Sequence, residues 1–173
     1  TCNNSGNSEV FNDSEGVLYA DISSLTQNIG TVDEVISISD ESLDNRVRIY
    51  HKKNLSNTIA YGIESNNVGQ FFTAIQISDI TLQHKTAFKY KVNDCSLWVN
   101  GFEIDTQTSV VMPTGLSNLS YEAANNTNPF YGKTKELGYY DTALTDLELE
   151  TLTSYRSWVS MVNELNLNII YNG

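Results

Sequence analysis

In residues 129–154, PFYGKTKELGYYDTALTDLELETLTS, a strand pattern passes directly into a short capped helix, and few architectures accept that junction. Thr145 suits an N-cap and Glu148 follows at the third helical position, so hydroxyl and carboxylate can each satisfy a backbone N–H left unpaired by the first turn. Leu144 and Leu149 have the spacing of a hydrophobic staple, while Asp146, Glu148 and Glu150 place negative charge at the positive end of the helix dipole. The helix is therefore expected from Asp146. Upstream, Leu137 and Tyr139 alternate with Gly138 and Tyr140 as a half-buried strand does, but Thr134 is out of step with Leu137. A bulge near Lys135 reconciles the two.

The rest of the chain repeats short apolar-polar runs between Gly, Asn, Asp and Ser, at the spacing of an all-β sandwich. Strands are expected near 16–23, 34–39, 46–53, 58–64, 70–78, 86–93, 96–99, 102–105, 116–121 and 131–140. Phe71, Thr73, Ile75 and Ile77 share one face, as do Phe88, Tyr90 and Val92, and these faces should meet in the core. Asn100-Gly101, between Leu97-Trp98-Val99 and Phe102-Glu103-Ile104, is the dipeptide that a two-residue type I′ hairpin demands. In that phase Leu97 and Val99 face one way and Trp98 the other, toward either the core or a sheet surface.

The pattern FYG-K-x-K-E-L-x-Y-Y-D-x-A-L-T-D-x-E-L, with WVNG at 98–101, resembles the closing strands of concanavalin A-like lectin/glucanase domains, including laminin G-like modules. The versions most similar are those of bacteriophage tail fibres and other virion adhesion proteins. The similarity runs from about Glu15, through EGVLYADIS and DNRVRIY, to about Ser154. It implies a two-sheet antiparallel jelly-roll sandwich over 15–154, after a polar entry segment at 1–14. Beyond it, Tyr155, Trp158, Val159, Val162 and Leu165 have helical spacing, so 155–173 is expected to hold an amphipathic helix and a tail. That apolar stripe either docks on the sandwich or joins copies of the chain, a trimer being the form such fibres take.

Composition narrows the partners. A net charge of −11 argues against nucleic acid, whose phosphates are neutralised by Lys and Arg. No run is long and apolar enough to enter a membrane. The basic groups Arg46, Arg48, Lys52, Lys53 and Lys85, Lys89, Lys91 read as solvated strand faces. His51 and His84 lack any nucleophile or metal motif and read as surface or edge-strand residues. Cys95 substitutes for a small apolar residue, and spacing does not decide whether it pairs with Cys2.

Glucan-cleaving members of this fold carry Glu-x-Asp-x-x-Glu on one strand, so that two carboxylates flank the bond. Here Glu103-Ile104-Asp105 is followed by Thr106, Gln107 and Thr108, and the second Glu is missing. No catalytic residue is therefore assigned. No cofactor is required either, although the loops 122–128 (EAANNTN) and 40–45 (DESLDN) offer calcium ligand types without a diagnostic spacing.

What remains is binding. Sugar recognition uses aromatic platforms and short polar chains, and Asn, Ser and Thr make up nearly a third of this chain beside 10 Tyr and 2 Trp. The long Asn-rich loop between strands is the expected site, with Tyr121, Asn125, Asn126, Asn128 and Tyr131, joined by Trp98. The five N-x-S/T sequons follow from Asn-rich composition. The resemblance implies a virion-borne domain that binds a bacterial surface glycan, alongside other virion proteins, during host attachment. The alternatives are a carbohydrate-binding module of a bacterial surface protein or enzyme, and a structural spacer or decoration domain of the virion.

Overall fold

The computed structural model describes residues 10–27 and 30–154. Cys2, most of the entry segment and the helix expected after Ser154 lie outside them.

The described strands are β1 (Glu15–Ser24), β2 (Glu34–Ser39), β3 (Arg46–His51), β4 (Thr58–Ser65) and β5 (Val68–Gln76), then β6 (His84–Lys91), β7 (Cys95–Val99), β8 (Phe102–Gln107), β9 (Asn118–Ser120) and β10 (Gly132–Tyr140). One sheet runs β10-β1-β6-β7-β8 and the other β5-β4-β3-β2-β9. All the strand pairs within them are antiparallel. Between the sheets, alternate residues such as Leu18, Ile22, Ile36, Ile49, Tyr61, Phe88 and Leu97 make one buried core. Each fully buried aliphatic or Phe side chain contributes roughly 1.5–3 kcal/mol. The Tyr61 hydroxyl is satisfied inside that core, accepting from Thr86 Oγ1 at 2.9 Å.

Phe71 and Phe88 meet edge to face at 5.4 Å, as their shared phase requires. Val92 does not join them: it falls just past β6 and is exposed. Asn100 and Gly101 both take positive φ, 50° and 86°, and turn β7 into β8. A second turn of this kind joins β4 to β5 through Asn66 and Asn67, at φ 50° and 60°. Lacking a glycine it gives a weaker signal, and the expected start at Gln70 falls two residues after the observed one at Val68.

The strand-to-helix junction forms as its sequence dictates. Asp21 pairs with Glu136 and Ile22 with Thr134, leaving Lys135 as the extra residue of a bulge. Helix α1 (Asp146–Thr153) begins with a capping box in which Thr145 N donates to Glu148 Oε2 at 2.8 Å and Glu148 N to Thr145 Oγ1 at 3.4 Å. Leu149 is fully buried against Val17, Tyr19, Ala87 and Trp98, with Leu144 packed beside them. The helix thus covers the outer face of the first sheet. Its end is tied to the hairpin by Gly101 N donating to Thr153 Oγ1 at 3.1 Å and by Lys85 Nζ donating to the Ser154 carbonyl at 3.0 Å.

Two expectations about polar residues are corrected. His51 and His84 are buried, because β3 and β6 turn them toward each other between the sheets. Arg46, Lys53 and Lys89 are buried as well, each against a carboxylate: Glu64, Glu34 and Asp94 respectively. Cys95 is buried with a free thiol that donates to the Lys91 carbonyl at 3.3 Å.

Candidate functional site

Strand alternation sends Arg46, Arg48 and Tyr50 of β3 to the outer face of the second sheet, opposite the core residues Val47 and Ile49. The registers carry this face across neighbouring strands in rows. Arg48 lies opposite Ser37 on β2 and Gly62 on β4, and Gly62 opposite Phe72 on β5. Arg46 lies opposite Ser39 and Glu64, and Tyr50 opposite Val35 and Ala60. Both arginines converge on one carboxylate. Arg46 Nε donates to Glu64 Oε2 at 3.1 Å, and Arg48 Nη2 donates to Glu64 Oε1.

Arg48 is held flat by its surroundings. Its guanidinium carbon sits 4.6 Å from the centroid of the Tyr50 ring, a cation–π contact. On its other flank is Gly62, where an added Cβ would stand 3.0 Å from Arg48 Nε. That Nε–H is buried and has no hydrogen-bond partner. A buried donor left unpaired costs about 1–3 kcal/mol. Burial, and then the charge of neighbouring Arg48, lower the pKa of Arg46, with Glu64 opposing them. Burial pushes the Tyr50 hydroxyl, on a ring only 2% exposed, up to about 12.

One wall of this face is the loop that sequence reasoning selected. Ser37 Oγ donates to the Glu122 carbonyl at 2.7 Å and Arg46 Nη1 to the Ala123 carbonyl at 3.0 Å. Ala123 packs on Val35, Tyr50 and Ala60. On the opposite side Phe72 is 55% exposed, with Lys52 Nζ 5.0 Å from its ring centroid. Two guanidinium groups sharing one carboxylate, next to an exposed aromatic ring, can accept an anionic, ring-shaped ligand.

The expected site residues fall in different places. Asn125 and Asn126 are exposed in the loop, and Tyr131 at its end is 64% exposed. Asn126 and Asn128 take positive φ, 60° and 52°, so both shape the turn. The Asn128 carbonyl also accepts from Val35 N at 3.2 Å, anchoring the loop to β2. Tyr121 points inward, half-buried against the core and 6.1 Å from the Phe130 ring. Trp98 is 7% exposed beneath α1, its Nε1–H donating to Ser96 Oγ at 3.2 Å. It belongs to the packing of the first sheet.

Sequence reasoning did not single out Arg46, Arg48, Tyr50, Glu64 and Phe72 as site candidates, reading the two arginines as part of a solvated strand face. The available signal was the period-two run Arg46-x-Arg48-x-Tyr50, which commits two cations and a ring to one face of a strand. Among the described residues no group of three or more His, Cys, Asp and Glu is placed to hold a metal ion. The Asp40 carboxylate accepts from Ser42 N, Ser42 Oγ and Asn45 Nδ2, which closes the 40–45 turn. Glu103 and Asp105 lie on the edge strand β8, just beyond the hairpin.

No protein family and no curated protein matches the chain in sequence. Its fold does have counterparts. The CBM40 domain of the Ruminococcus gnavus IT-sialidase superimposes with a TM-score of 0.64 at 16% identity, over 83% of this chain and 84% of that one. The same domain bound to α2,3 sialyllactose gives 0.65 at 16% identity, again over 83% and 84%. The leech intramolecular trans-sialidase gives 0.65 at 18% identity over 85% of this chain, which spans only 24% of that enzyme. At such identities the likeness is one of fold. The chain shares with these domains a two-sheet antiparallel sandwich fold, with one short helix among its described residues.

Proposed function

We propose that this chain is a non-catalytic glycan-binding domain whose ligand lies on the outer face of β2–β5 and presents a carboxylate to Arg48 and Arg46. The observation that carries this reading is the arginine pair itself: two guanidinium groups on one Glu64, in a chain of net charge −11. A pair of arginines on an acidic protein suits an acidic sugar, with the exposed Phe72 offered to an apolar face of the ring. Sialyllactose, held by the R. gnavus domain, is such a carboxylated glycan, and that complex supports the choice of ligand class.

The domain acts by holding its glycan. Glu103 and Asp105 have no partner carboxylate in sequence at the spacing that glycan cleavage uses, which favours binding without turnover. We place it in a phage tail fibre or virion adhesin that meets a bacterial surface glycan during host attachment, a setting that rests on the sequence resemblance. A second setting, a carbohydrate-binding module joined to an enzyme or surface protein, is favoured by the sialidase domains that share the fold.

A glycan array tests the reading. Binding should concentrate on carboxylated glycans, fall with added salt and disappear in Arg48→Ala. Equal signal on neutral glycans, or none on any glycan, counts against it.

A further inference from the structure

His51 and His84 meet between the two sheets with their Nε2 atoms 3.4 Å apart. They are 0% and 2% exposed. The other nitrogen of each ring is also engaged, His51 Nδ1 at 3.1 Å from Glu34 Oε2 and His84 Nδ1 at 3.1 Å from the Leu82 carbonyl. Each of these three contacts needs one N–H, because carbonyl and carboxylate oxygens only accept and two facing ring nitrogens need a donor between them. Two neutral imidazoles carry only two N–H groups. Whatever tautomers they adopt, one contact sets lone pair against lone pair.

We propose that His51 and His84 form a one-proton acid sensor between the sheets: as the pH falls, a single proton enters the gap between the two Nε2 atoms and a second is refused. With that proton in place His51 donates to both Glu34 and His84, and His84 donates to Leu82, so all three contacts are satisfied. The pair then carries one positive charge, shared across β3 and β6.

The charged groups around the pair set where it titrates. Glu34 on β2 favours the proton, but its carboxylate is shared with Lys53 Nζ at 3.2 Å, whose charge opposes it. Asp33 accepts from Lys53 N at 3.0 Å, and Ser24 Oγ on β1 donates to Glu34 at 3.2 Å. Burial pushes His51 below its ordinary value of 6.5, against the pull of Glu34. Burial, and then the charge on His51, hold His84 down at about 3. The first proton therefore binds below 6.5 and the second does not bind in the same range. A cavity of about 240 Å³, lined by Asp79, Gln83 and Asn100, reaches as far as His84.

The sign follows. A folded state that binds the proton more weakly than free histidine keeps its full stability above 6.5 and loses it as the pH falls through the folded midpoint. β3 carries the Arg48 face on its other side, so acid acts on the strand that bears the candidate site.

The test is a pH titration of the intact 173-residue chain labelled with 15N-histidine, followed by long-range proton–nitrogen spectra. Both Nε2 signals should move with one common midpoint below 6.5, with a nitrogen–nitrogen coupling across the gap on the acid side. His84→Leu should lower the His51 midpoint by about one pH unit, a tenfold loss of proton affinity. Separate midpoints for the two rings, two protons taken up together, or an unchanged His51 midpoint in His84→Leu would each overturn the proposal. So would zinc at neutral pH shifting both Nε2 signals, since the gap would then be a metal site. The wild-type spectra decide the question even if the variant does not fold.

Discussion

Arg48 lies flat across Gly62, so close that a Cβ at position 62 would stand 3.0 Å from the guanidinium Nε. Gly62 is therefore the floor on which the candidate site rests. Gly62→Val should lift Arg48 from Glu64 and weaken binding of a carboxylated glycan roughly tenfold, about 1.4 kcal/mol by calorimetry. The broken Arg48–Glu64 ion pair outweighs the strand preference of a β-branched residue, so the melting temperature should fall as well.

Trp98 serves packing beneath α1, although its ring looked available for sugar stacking. Trp98→Ala should cost about 3–5 kcal/mol in denaturant unfolding, as large core truncations do. Glycan affinity of the protein that remains folded should be unchanged. A loss of affinity without a loss of stability would return Trp98 to the binding site.

The difference between these two residues shows what the chain makes legible. The Thr145–Glu148 box, the Lys135 bulge and the Asn100-Gly101 turn are local, and each follows from neighbours in sequence. Whether Trp98 is covered depends on α1, about 50 residues later in the chain, folding back over β7. The shielding of Arg46 likewise depends on the Ala123 carbonyl reaching it from a distant loop. Alternation reveals that Arg46, Arg48 and Tyr50 share a face, but not that a loop walls it. The buried histidines were missed for the same reason, since their partners come from strands of opposite sheets.

The capping box should be measurable alone. Thr145→Ala removes the side-chain acceptor for Glu148 N and should cost about 1 kcal/mol. For a chain of this size that lowers the melting temperature by roughly 2–4 °C. Increased solvent exposure of Trp98 before global unfolding, read by fluorescence in a Trp158→Phe background, would locate the loss at α1.

Glu34 sets a second, more acidic window. Burial raises its pKa, but hydrogen bonds from His51 and the Lys53 charge outweigh that and hold it below 4.5. Its stabilisation is thus present above 4.5 and is lost as the pH falls through the lower folded value. Glu34→Gln should flatten this part of a stability–pH curve. It should also destabilise the protein at neutral pH by about 3–5 kcal/mol, because Lys53 is left buried without its counter-charge.

A carboxylated glycan should touch the domain on the outer face of β2–β5, around Arg48. Backbone and arginine side-chain signals should be followed by NMR while 3′-sialyllactose, a glucuronate-containing oligosaccharide and neutral lactose are titrated in turn. At least one acidic glycan should shift Arg48 Nε, Ser37, Tyr50, Gly62 and Phe72, lactose should leave them in place, and Arg48→Ala should abolish the response. Shifts confined to Trp98 or to β8, or no response to any acidic glycan, would contradict that placement.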